Sequence, residues 1–210
     1  MTVLCIAVPW NDGQVPRTAS PALRAALLER AAEMLARREP VTLRALVEGT
    51  GASTMAVYTH FGGMPGLWRA VRQEGFTRLA ARLGTVPASD DPVRDLAALG
   101  AAYAANALAT PALYRAMFDA AAELEDPDAA ARARDAERFA SDSDPEVVAT
   151  RYWATGHGLI LLVITGVLPA EALDAHAPAV AAALFVAAGD DEQRAARSVA
   201  AGWSLPAATA

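Results

Sequence analysis

Residues able to do covalent or metal chemistry are few and dispersed in this 210-residue chain. Its three histidines, His60, His157 and His176, are far apart, and no two stand at metal-ligating spacing. The single cysteine, Cys5, excludes an internal disulfide and every multi-cysteine metal motif, and is consistent with a reducing cytoplasm. No serine or cysteine sits in a nucleophile motif, and no glycine-rich phosphate loop occurs. Neither catalysis nor a metal or other cofactor is expected. The groups suited to recognition gather in two places instead. One holds Thr42, Ser53, Thr54, Met55, Ala56, Tyr58, Thr59 and His60; the other holds Tyr103, Tyr114, Met117, Phe118, Tyr152, Trp153 and His157. Short polar side chains in the first suit contacts to base edges and phosphates. Large rings with a few polar tips in the second suit the wall of an apolar ligand cavity.

The first set needs helices to present it. Between Val41 and Leu67 two short helical patterns flank a glycine-bearing turn. The first runs Leu43 to Gly49, with Thr42 as N-cap because its hydroxyl can accept from an unpaired amide. The second opens at Ser53 as N-cap and runs to about His60. Gly51 can take the positive φ that lets one helix end and the next leave steeply. Two helices joined this way form a helix-turn-helix, whose second helix enters the DNA major groove. Val57 and Phe61, four apart, give that helix a buried stripe. Thr54, Met55 and Ala56 then lead toward base edges, while Tyr58 and His60 carry donors for phosphate oxygens. A generic helical hairpin is the plainer reading of the same spacing.

The run T-G-A-S-x-x-x-V-Y-x-H-F-G-G-x-x-G-L, Thr50 to Leu67, resembles the recognition-helix signature of tetracycline-repressor (TetR) family regulators, G-V-S-x-x-x-L-Y-x-H-F-x-S-K-x-x-L. Gly51, Ser53, Val57, Tyr58, His60, Phe61 and Leu67 match. Met64 departs, standing where the family has a phosphate-gripping lysine, and its loss removes one salt-dependent contact. Pro65 suits the first turn of a helix.

Composition agrees with this division. The net charge of −6 argues against nucleic acid, yet residues 1–84 hold ten arginines against six acids, and residues 85–210 hold eight against eighteen. A basic head on an acidic body fits DNA binding confined to the head. The chain has no lysine. Hydrophobic residues are 54% but aromatics only 6%, so alanine and leucine dominate and the expected class is all-α. The longest apolar run, Leu159 to Ile164, is far shorter than a membrane span.

In chain order, residues 1–19 read as a flexible extension without a secretory signal, and Arg17 is either a minor-groove arm or a solvated side chain. Ser20-Pro21 starts a helix to about Arg38, from which Arg24 and Arg37 or Arg38 are candidate backbone contacts. A fourth helix, Gly66 to Leu83, completes a DNA-binding domain over 20–84. The loop Thr85 to Asp91 marks the boundary to an effector-binding and dimerisation domain over 85–210. There an acid or threonine followed by proline recurs at Asp91-Pro92, Thr110-Pro111, Asp126-Pro127 and Asp144-Pro145. Each reads as an N-cap and first helical residue. Helices are expected over 92–109, 111–122, 127–140, 145–167 and 178–188, with another between Asp190 and Trp203, forming a bundle.

Trp153 to Gly158 (WATGHG) and Pro111 to Phe118 (P-x-L-Y-x-x-M-F) are similar to the W-x-x-x-H-G class of TetR-family ligand-binding domains. With the head, the resemblance runs from about Ser20 to Phe185. Trp153 and His157 share a helical face, either as pocket wall and polar contact or as a core tryptophan stacked on a satisfied histidine. The resemblance implies a cytoplasmic homodimer joined through helices 145–167 and 178–188. It further implies a repressor that binds a palindromic operator and is released by a small, hydrophobic effector. The alternatives are a helical-bundle carrier or enzyme without DNA binding, or a sensor whose head has lost DNA.

Overall fold

The computed structural model describes residues 20–118 and 145–205. The expectations for 1–19, for Arg17, and for a helix over 127–140 lie outside them. Nine helices and no strand occur among the described residues: α1 (Pro21–Ala36), α2 (Leu43–Val47), α3 (Met55–Phe61), α4 (Met64–Leu83), α5 (Pro92–Ala109), α6 (Pro111–Met117), α7 (Pro145–Ile164), α8 (Glu171–Ala187) and α9 (Glu192–Trp203). The fold is all-α, as the composition led us to expect. It forms two compact units, one ending at Leu67 and the other beginning at Trp68. The division falls inside α4 rather than in the loop over 85–91, because most of α4 packs with the second unit.

In the first unit, α1 buries Leu27, Leu28, Ala31, Ala32 and Met34, α2 buries Leu46, and α3 buries Ala56, Val57 and Phe61. Sealing these side chains supplies most of the unit's stability, at roughly 1.5–3 kcal/mol for each fully buried large aliphatic. Polar bonds fix the turns. Thr42 caps α2 by accepting from the Ala45 amide at 3.3 Å, and Arg30 Nε donates to the Ala45 carbonyl at 2.8 Å. Thr50 Oγ1 donates to Val47 O and accepts from the Ala52 amide. Gly51 has φ 69° and Gly62, closing α3, has φ 71°, values that side chains with a Cβ seldom take. Gly66 permits the closest approach of all: a Cβ there would stand 1.5 Å from the Phe61 carbonyl oxygen.

The second unit is a bundle with α5 at its centre, packed on α6, α7, α8 and most extensively α9. Asp91 caps α5 by accepting from the Arg94 amide at 3.0 Å, as its pairing with Pro92 predicted. Thr110 does not cap α6. Its hydroxyl donates back to Asn106 O at 3.1 Å and so closes α5. Helix α8 begins at Glu171, seven residues before Pro178, which sits inside it. That proline forfeits an interior hydrogen bond. The helix nonetheless buries apolar residues on both sides of it. Ala172 and Leu173 join one core cluster, with Ile160 and Val163, and Ala181 and Phe185 join a second, with Leu96 and Val199. Helix α7 proves more apolar over its length than the run at 159–164 suggested. Val147–Ile164 is the single described segment long and apolar enough to cross a membrane, and its Ile160 and Val163 are sealed in the bundle core.

Candidate functional site

Helix α3 divides its residues sharply between inside and outside. Ala56 and Val57 have no exposed surface and Phe61 is 5% exposed, whereas Met55 is 61% and Tyr58 50% exposed. Thr42, Ser53, Thr54 and Thr59 are also exposed. A ridge of Ser53, Thr54, Met55, Tyr58 and Thr59 is therefore open to a partner.

Several expected roles change. Ala56 cannot meet a base edge, because one turn before Phe61 it lies on the buried face. Ser53 is not the N-cap: α3 starts at Met55 with Thr54 preceding it, and Ser53 contributes its carbonyl to the Ala56 amide at 2.9 Å. Thr59 Oγ1 donates to Met55 O at 3.0 Å, leaving its oxygen chiefly as an acceptor. His60 is half-buried, and its Nε2 is enclosed without a partner, so any phosphate donation falls to Nδ1. Arg24 lies 5.1 Å from the Phe61 ring centroid, a cation–π placement that ties α1 to α3.

The second unit encloses a cavity of about 410 Å³, within the usual range for small-molecule sites. Tyr103, Phe118, Tyr152, Trp153 and His157 line it. Tyr114 and Met117 do not. Tyr114 is fully sealed behind the wall, and Met117 faces α4, where its side chain sits against Gly75. Three further groups of lining residues carried no single-residue signal: Phe76, Leu79 and Leu83 on α4; Leu96, Leu99 and Gly100 on α5; and Leu173, Ala177, Val180 and Leu184 on α8. Their spacing of three and four residues would have marked each helix's inner stripe. Trp203, at the end of α9, completes the wall.

Gly100 shows how backbone shape serves the wall. A Cβ there would collide with the Tyr152 hydroxyl, which instead donates to Leu96 O at 3.1 Å. Burial pushes the pKa of Tyr152 up, so it stays protonated. Trp153, 42% exposed, is neither a core residue nor isolated: it stacks on His157 with centroids 5.2 Å apart. The Trp153 Nε1 donates to Tyr103 Oη at 3.2 Å, and Tyr114 Oη donates to Tyr103 Oη at 2.9 Å. His157 Nδ1 lies 2.5 Å from Tyr114 Oη and 3.2 Å from Tyr103 Oη. Desolvation lowers the pKa of His157 and raises those of Tyr103 and Tyr114, so the whole cluster is neutral near pH 7.

Phe118 joins this wall to α4. Its ring meets His157 edge-on at 4.3 Å and Phe76 at 5.6 Å. Next to it, Arg72 Nε donates to the Met117 carbonyl at 2.6 Å, holding the end of α6 on α4.

No family model matches the sequence, and no curated protein matches it. Solved structures do. A protein of unknown function from Rhodococcus sp. RHA1 superposes with a TM-score of 0.65 and 24% identity, over 85% of this chain and all of that one. RolR in complex with resorcinol superposes with a TM-score of 0.58 and 18% identity, over 90% of this chain and 96% of that one. The fold is thus TetR-like.

Proposed function

We propose that this chain is a ligand-responsive transcriptional regulator, not an enzyme, acting as a repressor in the cytoplasm. The observation that carries the reading is the division of α3, which holds Ala56, Val57 and Phe61 inside and offers Thr54, Met55 and Tyr58 to a groove. The basic N-terminal portion supports it. A homodimer joined through α7 and α8 would set two copies of α3 about one DNA turn (roughly 34–36 Å), or a multiple, apart on a palindromic operator.

In this reading the cavity takes a small, mostly apolar effector, and the resorcinol bound by RolR supports a ligand of that scale. Phe118 is the mechanical link. A ligand that shifts its ring acts on Phe76, and through the Arg72–Met117 bond on the slant of α4, which runs on into the head. Such a ligand must prefer one α4 position, since equal affinity for both shifts nothing. A coupling of about 1–3 kcal/mol suffices for a 5- to 150-fold change in operator affinity.

An electrophoretic mobility shift of the full chain on its own upstream DNA tests the proposal. The wild type should bind, and Tyr58→Ala should lose binding while melting at the same temperature. Absence of any shift at low salt would overturn it.

A further inference from the structure

The hydrogen bonds of the aromatic cluster dictate what polar group the cavity accepts. Most polar atoms on its wall are already engaged. Tyr152 Oη donates to Leu96 O, Trp153 Nε1 to Tyr103, Thr155 Oγ1 to Arg151 O and Trp203 Nε1 to Asp174 Oδ1. Thr150 is exposed, and water serves its hydroxyl. Tyr103 and His157 remain.

Their protons can be assigned by counting. Tyr114 has one hydroxyl proton and gives it to Tyr103. In the 2.5 Å contact between Tyr114 Oη and His157 Nδ1, the proton therefore belongs to Nδ1. The ring is neutral, so its other nitrogen, Nε2, is bare and acts as an acceptor. No protein group among the described residues bonds to it. Tyr103 Oη already accepts from Trp153 and Tyr114. It cannot donate to a protonated Nδ1, which leaves its own proton for the cavity. A donor and an acceptor thus stand together on a wall that is otherwise apolar. No Asp, Glu, Lys or Arg lines the cavity, so a charged ligand would be buried without a partner.

We infer that the cavity binds an uncharged, mostly apolar molecule bearing a hydroxyl, which donates to His157 Nε2 and accepts from the Tyr103 hydroxyl. The inference rests on the reading of the cavity as the effector site and names the chemical class of that effector. A ketone, ether or ester would leave Nε2 unanswered. A site built around such a pair discriminates against the analogue that lacks the matching proton.

The test uses three probes of one shape: para-butylphenol, its methyl ether para-butylanisole, and butylbenzene. Each is titrated into the full chain without DNA and followed by calorimetry and by tryptophan fluorescence, since Trp153 and Trp203 both face the cavity. The phenol should bind roughly tenfold more tightly than the ether, the size expected for one buried neutral hydrogen bond. His157→Phe should bring that ratio close to one. Tyr103→Phe should preserve the ratio but weaken phenol and ether alike relative to butylbenzene. These ratios separate ligand contact from a merely structural role, which would move all three affinities together. A long-range ¹⁵N–¹H spectrum of the wild type should show His157, assigned with the variant, protonated at Nδ1, a readout that needs no variant to fold. Equal or tighter binding of the ether overturns the inference. So does an Nε2–H tautomer, and so does silence from all three probes at their solubility limits. Because no DNA is present, failure here is distinct from failure of the mobility shift.

Discussion

Replacing Gly66 with alanine puts a methyl group where the end of α3 already stands. The added Cβ would lie 1.5 Å from the Phe61 carbonyl oxygen and 2.7 Å from its carbon, and both obstacles are backbone. Neither can swing aside as a side chain could, so the first turn of α4 must retreat from α3. Alanine in a helix is intrinsically better than glycine by about 1 kcal/mol, which opposes the loss. Overpacking a tight contact costs about 1–3 kcal/mol, and a backbone clash belongs at or beyond the upper end. Retreat also loosens the seal on Phe61 and Leu67, which are 5% and 0% exposed. We expect a net loss of about 2 kcal/mol, a fall in Tm of roughly 4–8 °C for a chain of this size. Circular-dichroism melting and urea unfolding measure it. Gly158→Ala is the control: a Cβ there meets nothing within 4 Å, so this chain alone should gain up to about 1 kcal/mol from the substitution. A loss at Gly158 would place a second chain against α7. If Gly66→Ala melts at or above the wild-type temperature, the close α3–α4 approach described here is wrong.

Three other outcomes follow. Met64→Lys restores a cation at the start of α4, and should tighten operator binding while steepening its salt dependence by about one unit of log–log slope. His157 has a lowered pKa when folded, so below about pH 6.5 the unfolded chain takes up a proton that the buried ring resists, and stability falls with pH. Unfolding titrations should show that part of the acid loss flattened in His157→Asn. Asp95 is a carboxylate whose burial alone would raise its pKa, yet it is held low overall by the Ser89 hydroxyl and amide and by Arg94. Its contribution is present above the ordinary carboxylate range and lost as pH falls through the lowered value. Asp95→Asn should cost about 1 kcal/mol at pH 7 and little near pH 2, measured by urea unfolding at both.

Local chemistry alone determined the ends of most helices and the character of the head. Thr42 and Asp91 cap because a hydroxyl or carboxylate beside free amides has one favourable geometry, whatever the rest of the chain does. Val57 and Phe61 pointed inward because four residues bring a side chain back to the same helical face. Tertiary structure decided what such rules cannot reach. A shift of the α3 start to Met55 turned Ala56 inward, and one residue of helix is a large rotation about its axis. Pro178 reads locally as a helix start but lies inside α8, because burial on both sides outweighs one missing hydrogen bond. Tyr114 and Tyr103 looked alike in sequence, yet one is sealed and the other faces the cavity. That difference comes from the packing of α5, α6 and α7 against one another, and it sets the direction of the protons that His157 and Tyr103 present. Spacing along a chain fixes which residues share a face, while only packing between helices fixes what that face meets.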